Sequence, residues 1–513
     1  MWGNAIQLNN SYFSTFNIYT IIYSCIIKTN FTTQEYNNSF LLKNIFSEER
    51  NVTMNNRIDK APLKDYGIST ALRYGSPITR LSAIVFGLGN LTHKQIGKGL
   101  CFLLTEISYI LFMVQFGVSS LLGFFSLGTA QQQEVFNEEL GIYEYVLGDN
   151  SMLCLLYGVI TIFITLGFIM FMIASVKSAY YAEYRVAHGK KLNSFKEDLY
   201  SLKDDKVHIS LLTLPTLGIV MFTIIPLVFM IFIAFTNYDK EHLPPGKLFD
   251  WVGLANFKSI FDMGAGGIGK TFFPVLMWTL VWAFFATFTN YFLGMILALI
   301  INRKGTKWKG FWRFNFVLSI AIPAFVSLLT MRTIFSESGP MNVLLREWGL
   351  IAKTQSVPFW TNGSLAKIMV ILVNIWIGVP YTMLNHTGIL QNIPADLYEA
   401  AEVEGAGPVV KFFKITLPYM LFVTGPFLIT TFIGNINNFN VIYLLSGGGP
   451  GNLDYYYAGE TDLLVTWLYK LTITEKDYKM GSVIGIMIFI ISAIFSLIAY
   501  RHTAAYKNEE AFQ

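Results

Sequence analysis

Charge is what this 513-residue sequence has least of: Asp, Glu, Lys and Arg together make 14% of it, against about 25% in soluble domains. Hydrophobic residues make 53%, so a water-soluble globular protein is excluded. The few charges nearly cancel, and a net charge of +4 over this length gives no basic field for a polyanion. Nucleic acid is therefore not expected as a partner. Cys25, Cys101 and Cys154 are odd in number and widely spaced, which argues against a disulfide framework and a thiolate metal site. The six histidines are scattered, and no His, Cys or carboxylate group has ligand or triad spacing. No catalytic residue and no metal site is read from the chain. What the sequence has in plenty is aromatic, with 44 Phe, 27 Tyr and 10 Trp, and this excludes disorder.

Stretches of about 20 mostly apolar residues, long enough to cross a bilayer as a helix, occur eight times: 100–127, 152–175, 208–236, 273–302, 314–335, 366–388, 415–436 and 479–501. A closed barrel would show segments of about 10 residues with period-two alternation, whereas 218–234 is apolar on every face. The fold class is an all-α polytopic membrane protein with eight transmembrane helices. Cytoplasmic loops retain Lys and Arg. With the N-terminus inside, the inner segments 1–99, 176–207, 303–313, 389–414 and 501–513 carry 26 of the 37, and the outer segments carry eight. Both termini are expected in the cytoplasm. The chain then divides into an N-terminal cytoplasmic region 1–99, three spans in 100–236, a short extracellular loop 237–272, a core 273–501 with a cytoplasmic loop 389–414, and a tail 502–513.

Residues 1–53 differ from the rest, being rich in Asn, Ser and Thr with an apolar run at 18–27 too short to span. Two readings stand: Met54 is the true start, since Glu48-Glu49-Arg50 can be encoded by a purine-rich ribosome-binding site, or residues 1–53 are a disordered tail. Further on, Gly264 to Thr271 matches the phosphate-loop pattern GxxxxGK[ST] letter for letter. That pattern needs a buried strand before it and a cytoplasmic helix after it. Here no strand precedes it, a membrane span follows it, and the charge count puts it outside the cell. It reads as a flexible Gly-rich connection.

Loop 389–414 carries Glu399-Ala400-Ala401 and then Gly405, and Ile415-Thr416-Leu417-Pro418 follows it at the start of the seventh span. Pro394 and Asp396 suit a helix start, and Gly405 with Gly407-Pro408 suits its end. An interfacial helix would show Lys and Arg on its polar face, but this one is acidic, which favours a protein partner over lipid headgroups. In the sixth span Asn374, Ile377, Gly378 and Tyr381 fall at i, i+3, i+4, i+7, one helical face. Thr431, Gly434, Asn435 and Asn438 repeat that spacing in the seventh. Small residues and Asn bridge packed helices for about 1 kcal/mol. Four asparagines at 435, 437, 438 and 440 exceed that need, and amides beside Trp376, Tyr381 or Phe439 suit sugar hydroxyls and the apolar face of a pyranose.

The EAA, three residues, G, nine residues, I-x-LP spacing resembles that of the ABC importer permeases of type I. From about 275 to 501, including Asn435-Ile-Asn-Asn438-Phe and Leu444-Leu-Ser-Gly-Gly-Gly449-Pro450, the chain is similar to the larger permease of maltose and maltodextrin importers, the MalF type. The resemblance implies that Glu399, Ala400, Ala401, Gly405, Ile415, Leu417 and Pro418 couple the chain to a separate ATPase, with Glu399 facing a basic residue. It implies sugar contacts at Asn374, Ile377, Gly378, Tyr381, Thr431, Gly434, Asn435 and Asn438. Gly434 stands where the family's best-known member has an aromatic residue, and Thr431 replaces a smaller hydroxyl residue. Loop 237–272 is much shorter than that member's extracellular domain. The partners implied are a second, MalG-like permease, two copies of a MalK-like ATPase, an extracellular sugar-binding protein, an oligosaccharide and membrane lipid. The chain itself is expected to bind no cofactor, ATP and Mg²⁺ belonging to the ATPase, and to sit in a bacterial cell membrane. An ion-coupled secondary transporter would need carboxylates or histidines as relays inside the membrane, and the spans offer few. A purely structural membrane protein is the other rival.

Overall fold

The computed structural model describes residues 67–501 apart from 139, 140, 265, 266 and 304. Met54 and the first 53 residues lie outside the described residues. Seven helices are long and apolar enough to cross a membrane: Ile96–Ser126, Ser151–Ala187, Val207–Ile233, Gly269–Asn302, Gly363–Leu390, Pro408–Ile436 and Tyr478–Arg501. They are spans one to four and six to eight. The expected fifth span is not one straight helix. Lys309–Ala321 and Ala324–Ile334 meet at an angle of 87°. Pro323 lacks an N–H, and the residue before a proline is pushed out of the helical region; Ile322 is accordingly extended, at ψ 125°. Prolines 215, 274, 380 and 426 lie inside helices that continue past them.

The fourth span is the axis of the molecule. In its most apolar stretch 44% of the residues are buried, against 6% in the first and third spans, whose faces are left to lipid. Trp278, Trp282 and Ala286 pack with Val370 and Val373 of span six, Leu328 of the bent pair, and Ile442 and Leu445. Its first turns join Trp467, Leu471, Val483 and Ile484 around span eight. Its last third, with Tyr291 and Met295, meets Met420 of span seven. The all-α expectation has one small exception. Residues Gln133–Asn137 and Ile142–Val146 form an antiparallel hairpin, in register Gln133 to Val146, in the loop after span one. Ile, Tyr and Val dominate the second strand, and Val135 and Phe136 sit at the middle of the first, as suits a pleated ribbon.

Candidate functional site

The short acidic helix runs over Ala395–Val403, opened by Pro394 and with Asp396 in its first turn, where a negative charge complements the helix dipole. Gly405 closes it at φ +77°, a left-handed conformation costly for any residue with a Cβ. The Gly405 N–H donates to Glu402 O, and that of Ala406 to Ala401 O at 2.8 Å, so the last carbonyls are satisfied. Pro408 then begins the next helix, which runs without interruption into span seven. Two side-chain contacts tie the pieces together: Tyr398 to Thr416 at 2.8 Å, and Lys411 to Glu402 at 2.7 Å. Glu399 and Ala400 are exposed, Ala401 is half-buried, and Val403 is 90% exposed. Ile415 is half-buried and Pro418 exposed. Leu417 packs with Leu390 and Phe412 on Tyr291, Met295 and Met420. The helix to which the short helix is bonded thus packs on the fourth span through Leu417.

The two polar stripes both lean on the fourth span rather than chiefly on each other. Gly378 lies so close to Asn290 that a Cβ there would collide with the Asn290 amide. One turn on, the Thr382 hydroxyl donates to Asn290 O at 2.8 Å. Asn374 is 8% exposed, and its side-chain NH₂ has no hydrogen-bond acceptor among the described residues. Ile377 packs on the Trp278 and Trp282 cluster, while Tyr381 and Trp376 are about half exposed. From span seven, the Asn435 amide donates to Thr287 Oγ1 at 2.9 Å, and Asn435 O accepts from Trp282 Nε1 at 3.1 Å. The Thr431 hydroxyl turns back onto Phe427 O. Gly434 is exposed, and a Cβ there would meet nothing within 4 Å.

Two of the remaining asparagines have backbone work. Span seven ends at Ile436, and a separate helix Phe439–Leu445 follows. The Asn437 amide donates to Ile433 O, and Asn438 caps the new helix by accepting from Val441 N. A helix break in an apolar setting frees polar backbone groups, and short amides satisfy them. Beside this break, Phe439 and Tyr443 stack at 4.7 Å and Tyr469 meets both edge-on. Sequence reasoning missed Tyr443 and Tyr469, and also Thr287, Asn290 and Tyr291. A signal for Thr287 and Asn290 existed: Thr279, Ala283, Thr287, Asn290, Gly294 and Ala298 recur three or four apart along the fourth span, a stripe of small and polar residues.

The loop after this helix is tightly held. Asp462 is fully buried and accepts from Gly459 N, Thr466 and Lys470 at 2.6–2.8 Å; burial pushes its carboxyl up against the pull of Lys470. Glu460 pairs with Lys367 at 2.6 Å, a contact that holds it below the usual carboxylate range. Nearby, a small cavity of about 190 Å³ is lined by residues that include Asp239, Tyr456, Asp477 and Lys479. Burial raises Asp239, yet hydrogen bonds from Lys479, His242 and the Glu241 N–H bring it down to about 2.

The phosphate-loop match offers no nucleotide geometry in its described residues. Its Thr271 is buried, and the hydroxyl accepts from Tyr456 N at 2.7 Å; a short helix, Ala255–Ser259, precedes the motif. The buried carboxylates of spans one and two are not aimed at a passage: Glu106 and Glu183 accept from backbone N–H groups of residues 86 and 76. Among the described residues no group of His, Cys, Asp and Glu is placed to share a metal ion.

Polar helix faces gathered on one central membrane helix, with an exposed acidic helix geared to it, define the membrane subunit of a transporter. A family model described as the binding-protein-dependent transport system inner membrane component matches residues 290–506. The maltodextrin transport system permease protein MdxF of Bacillus subtilis (strain 168) is 35% identical over 443 residues, 84% of this chain and 96% of that one. The galactooligosaccharides transport system permease protein GanP of the same organism is also 35% identical, over 435 residues, 84% of this chain and 99% of that one. MalF, the maltose/maltodextrin transport system permease protein of Escherichia coli (strain K12), is 34% identical over 273 residues, 52% of each chain. A crystal structure of a bacterial alginate ABC transporter, in complex with its alginate pentasaccharide-bound periplasmic protein, has a chain that aligns with 58% of this one and 94% of its own length, at TM-score 0.47 and 22% identity. The chain belongs to the binding-protein-dependent permease family: it is a membrane subunit of a bacterial ABC sugar importer.

Proposed function

We propose that this chain is the larger permease of an importer for neutral malto-oligosaccharides, coupled to its ATPase through Ala395–Val403. One observation carries the coupling: that helix stands exposed, yet is bonded to span seven by Tyr398 and Thr416. The charge count supports a cytoplasmic position for it, and for both termini. Docking to one of two ATPase subunits, which bind ATP and Mg²⁺, leaves this chain without a cofactor of its own. A second permease completes the passage, and an extracellular binding protein delivers the sugar.

The sugar path runs along Asn374, Ile377, Gly378 and Tyr381 of span six and Thr431, Gly434, Asn435 and Asn438 of span seven. Uncharged amides and hydroxyls beside aromatic faces suit a neutral glycan. The open space at Gly434 favours a chain of several sugars. A galacto-oligosaccharide is the second reading, favoured by the equal identity to GanP. Proteoliposomes holding this chain with its second permease and ATPase, supplied with binding protein, separate the readings. ATP-dependent uptake of maltotriose above that of a galactotriose supports the first; the reverse order supports the second. Uptake driven by a proton gradient without ATP overturns both.

A further inference from the structure

The segment 76–92, ahead of the first span, is inside out by the standard of a water-exposed element. It comprises two short helices, Pro77–Leu81 and Leu88–Thr92, joined by a tight turn. Four of its polar side chains face the protein: Ser76, Thr79, Ser82 and Asn90 are buried, while Arg80 and Thr92 are exposed. Four of its apolar side chains face out, with Ile78, Leu81 and Val85 exposed and Ile84 70% exposed, while Phe86 is buried and Leu88 and Leu91 are half-buried. In water this arrangement loses the hydrophobic contribution twice over. Against lipid it is the expected one, because polar groups must then find partners inside the protein.

The depth of the turn agrees. Phe86 stacks on Phe168 of span two at 4.8 Å, and Phe168 stacks in turn on Tyr109 of span one at 3.8 Å. The Phe86 N–H donates to Glu106 at 2.8 Å. Glu106 lies six residues beyond residue 100, where the apolar stretch of span one begins, about 9 Å along it at the rise of an α-helix. That is within the hydrocarbon core. Non-helical backbone is tolerated at such depth only where protein satisfies it. Every N–H from Ala83 to Gly89 has a protein acceptor: local carbonyls take those of Ala83, Ile84, Val85 and Leu88, Glu106 takes Phe86, Ser175 takes Gly87, and Ser82 takes Gly89. At the near end Glu183, only 2% exposed, accepts from Ser76 N and from the Thr79 hydroxyl. Arg73 and Arg80 are exposed at that same end, where long basic side chains reach lipid phosphates.

From these observations we infer that residues 76–92 form a re-entrant hairpin embedded in the bilayer, with Ile78, Leu81, Ile84 and Val85 against lipid acyl chains and Glu106 and Glu183 as its internal anchors. The charge count alone would have left this segment in the aqueous cytoplasmic region. The test is spin labelling of the full chain, assembled with its second permease and ATPase in lipid vesicles, with the native cysteines replaced by Ser. Labels are placed at Ile84→Cys, with Leu166→Cys of span two as lipid reference and Lys94→Cys as aqueous reference. The ratio of collisions with oxygen to collisions with a water-soluble nickel chelate is read at each. A ratio at Ile84 matching Leu166, and several-fold above Lys94, supports the hairpin. A ratio like that of Lys94 overturns it, and shielding from both reagents overturns it too by showing a protein partner on this face. Leu81→Cys, read the same way, keeps the test open if Ile84→Cys fails to assemble.

Discussion

The hydroxyls of Tyr398 and Thr416 are joined by a hydrogen bond of 2.8 Å, which ties the acidic helix to the helix of span seven. Thr416 is buried and Tyr398 half-buried, so water does not readily replace the bond. Tyr398→Phe removes it while keeping the ring, for about 1 kcal/mol. The expected result is normal membrane insertion and assembly with several-fold less sugar carried per ATP hydrolysed, read as uptake and phosphate release in the same vesicles. An unchanged ratio would show that this bond carries no coupling.

Gly405 and Glu399 test the docking surface from opposite directions. Gly405 needs its positive φ, and a side chain there costs about 1–2 kcal/mol although nothing crowds it within 4 Å. Gly405→Pro breaks the turn outright, and Glu399→Lys reverses the charge offered to a basic partner residue. Both are expected to abolish uptake and to weaken co-purification of the ATPase, with insertion intact. Normal uptake by both would remove the docking role.

Gly434 is the place to read substrate length. Because a Cβ there meets nothing, Gly434→Phe is expected to fold and to fill the space beside the path with an aromatic ring. Uptake of maltoheptaose should then fall more than that of maltose, and the ratio of the two rates is the measurement. An equal loss for both sugars would place Gly434 away from the glycan.

The packing of Gly378 on Asn290 separates a structural glycine from a sugar-lining one. Gly378→Val forces the sixth and fourth spans apart, and overpacking of this kind costs about 1–3 kcal/mol. A lowered unfolding midpoint of the detergent-solubilised complex is expected, accompanied by lost uptake. Lost uptake with an unchanged midpoint would instead assign Gly378 to the sugar.

Much of this was legible in the sequence for simple reasons. Apolar runs of about 20 residues mark spans whatever their packing, and the motif from Glu399 to Pro418 is local, so its helix and its Gly405 turn follow from neighbours in the chain. The break at Pro323 was also written there, but a run of apolar residues through 314–335 masked it. Long-range facts were not legible. Nothing near Asn435 announces Thr287, 148 positions away, and counting asparagines could not show that Asn437 and Asn438 serve a helix break. The hydrophobic count also passed over 76–92, because its longest apolar run, 83–86, is far too short to span; the sorting of its side chains onto two faces appears only when the segment is folded.

Asp239 gives a pH dependence of definite sign. It accepts from Lys479 and His242, and the loop it belongs to is further fixed by Tyr238, which stacks on Tyr478 at 4.4 Å. Its folded value of about 2 lies below the ordinary carboxylate value of 3.8. A depressed carboxylate contributes stability above its unfolded value and loses it as pH falls through the folded one. The contribution is therefore full above about pH 4 and fades toward pH 2. Asp462 and Asp477, which burial raises, act in the opposite sense, so the informative quantity is the difference between wild type and Asp239→Asn. Unfolding midpoints of the two proteins in detergent should differ by a constant amount from pH 7 to about 4 and converge below it. A difference that persists undiminished to pH 2 would show that Asp239 acts through hydrogen bonds its amide replacement cannot make, and not through its charge.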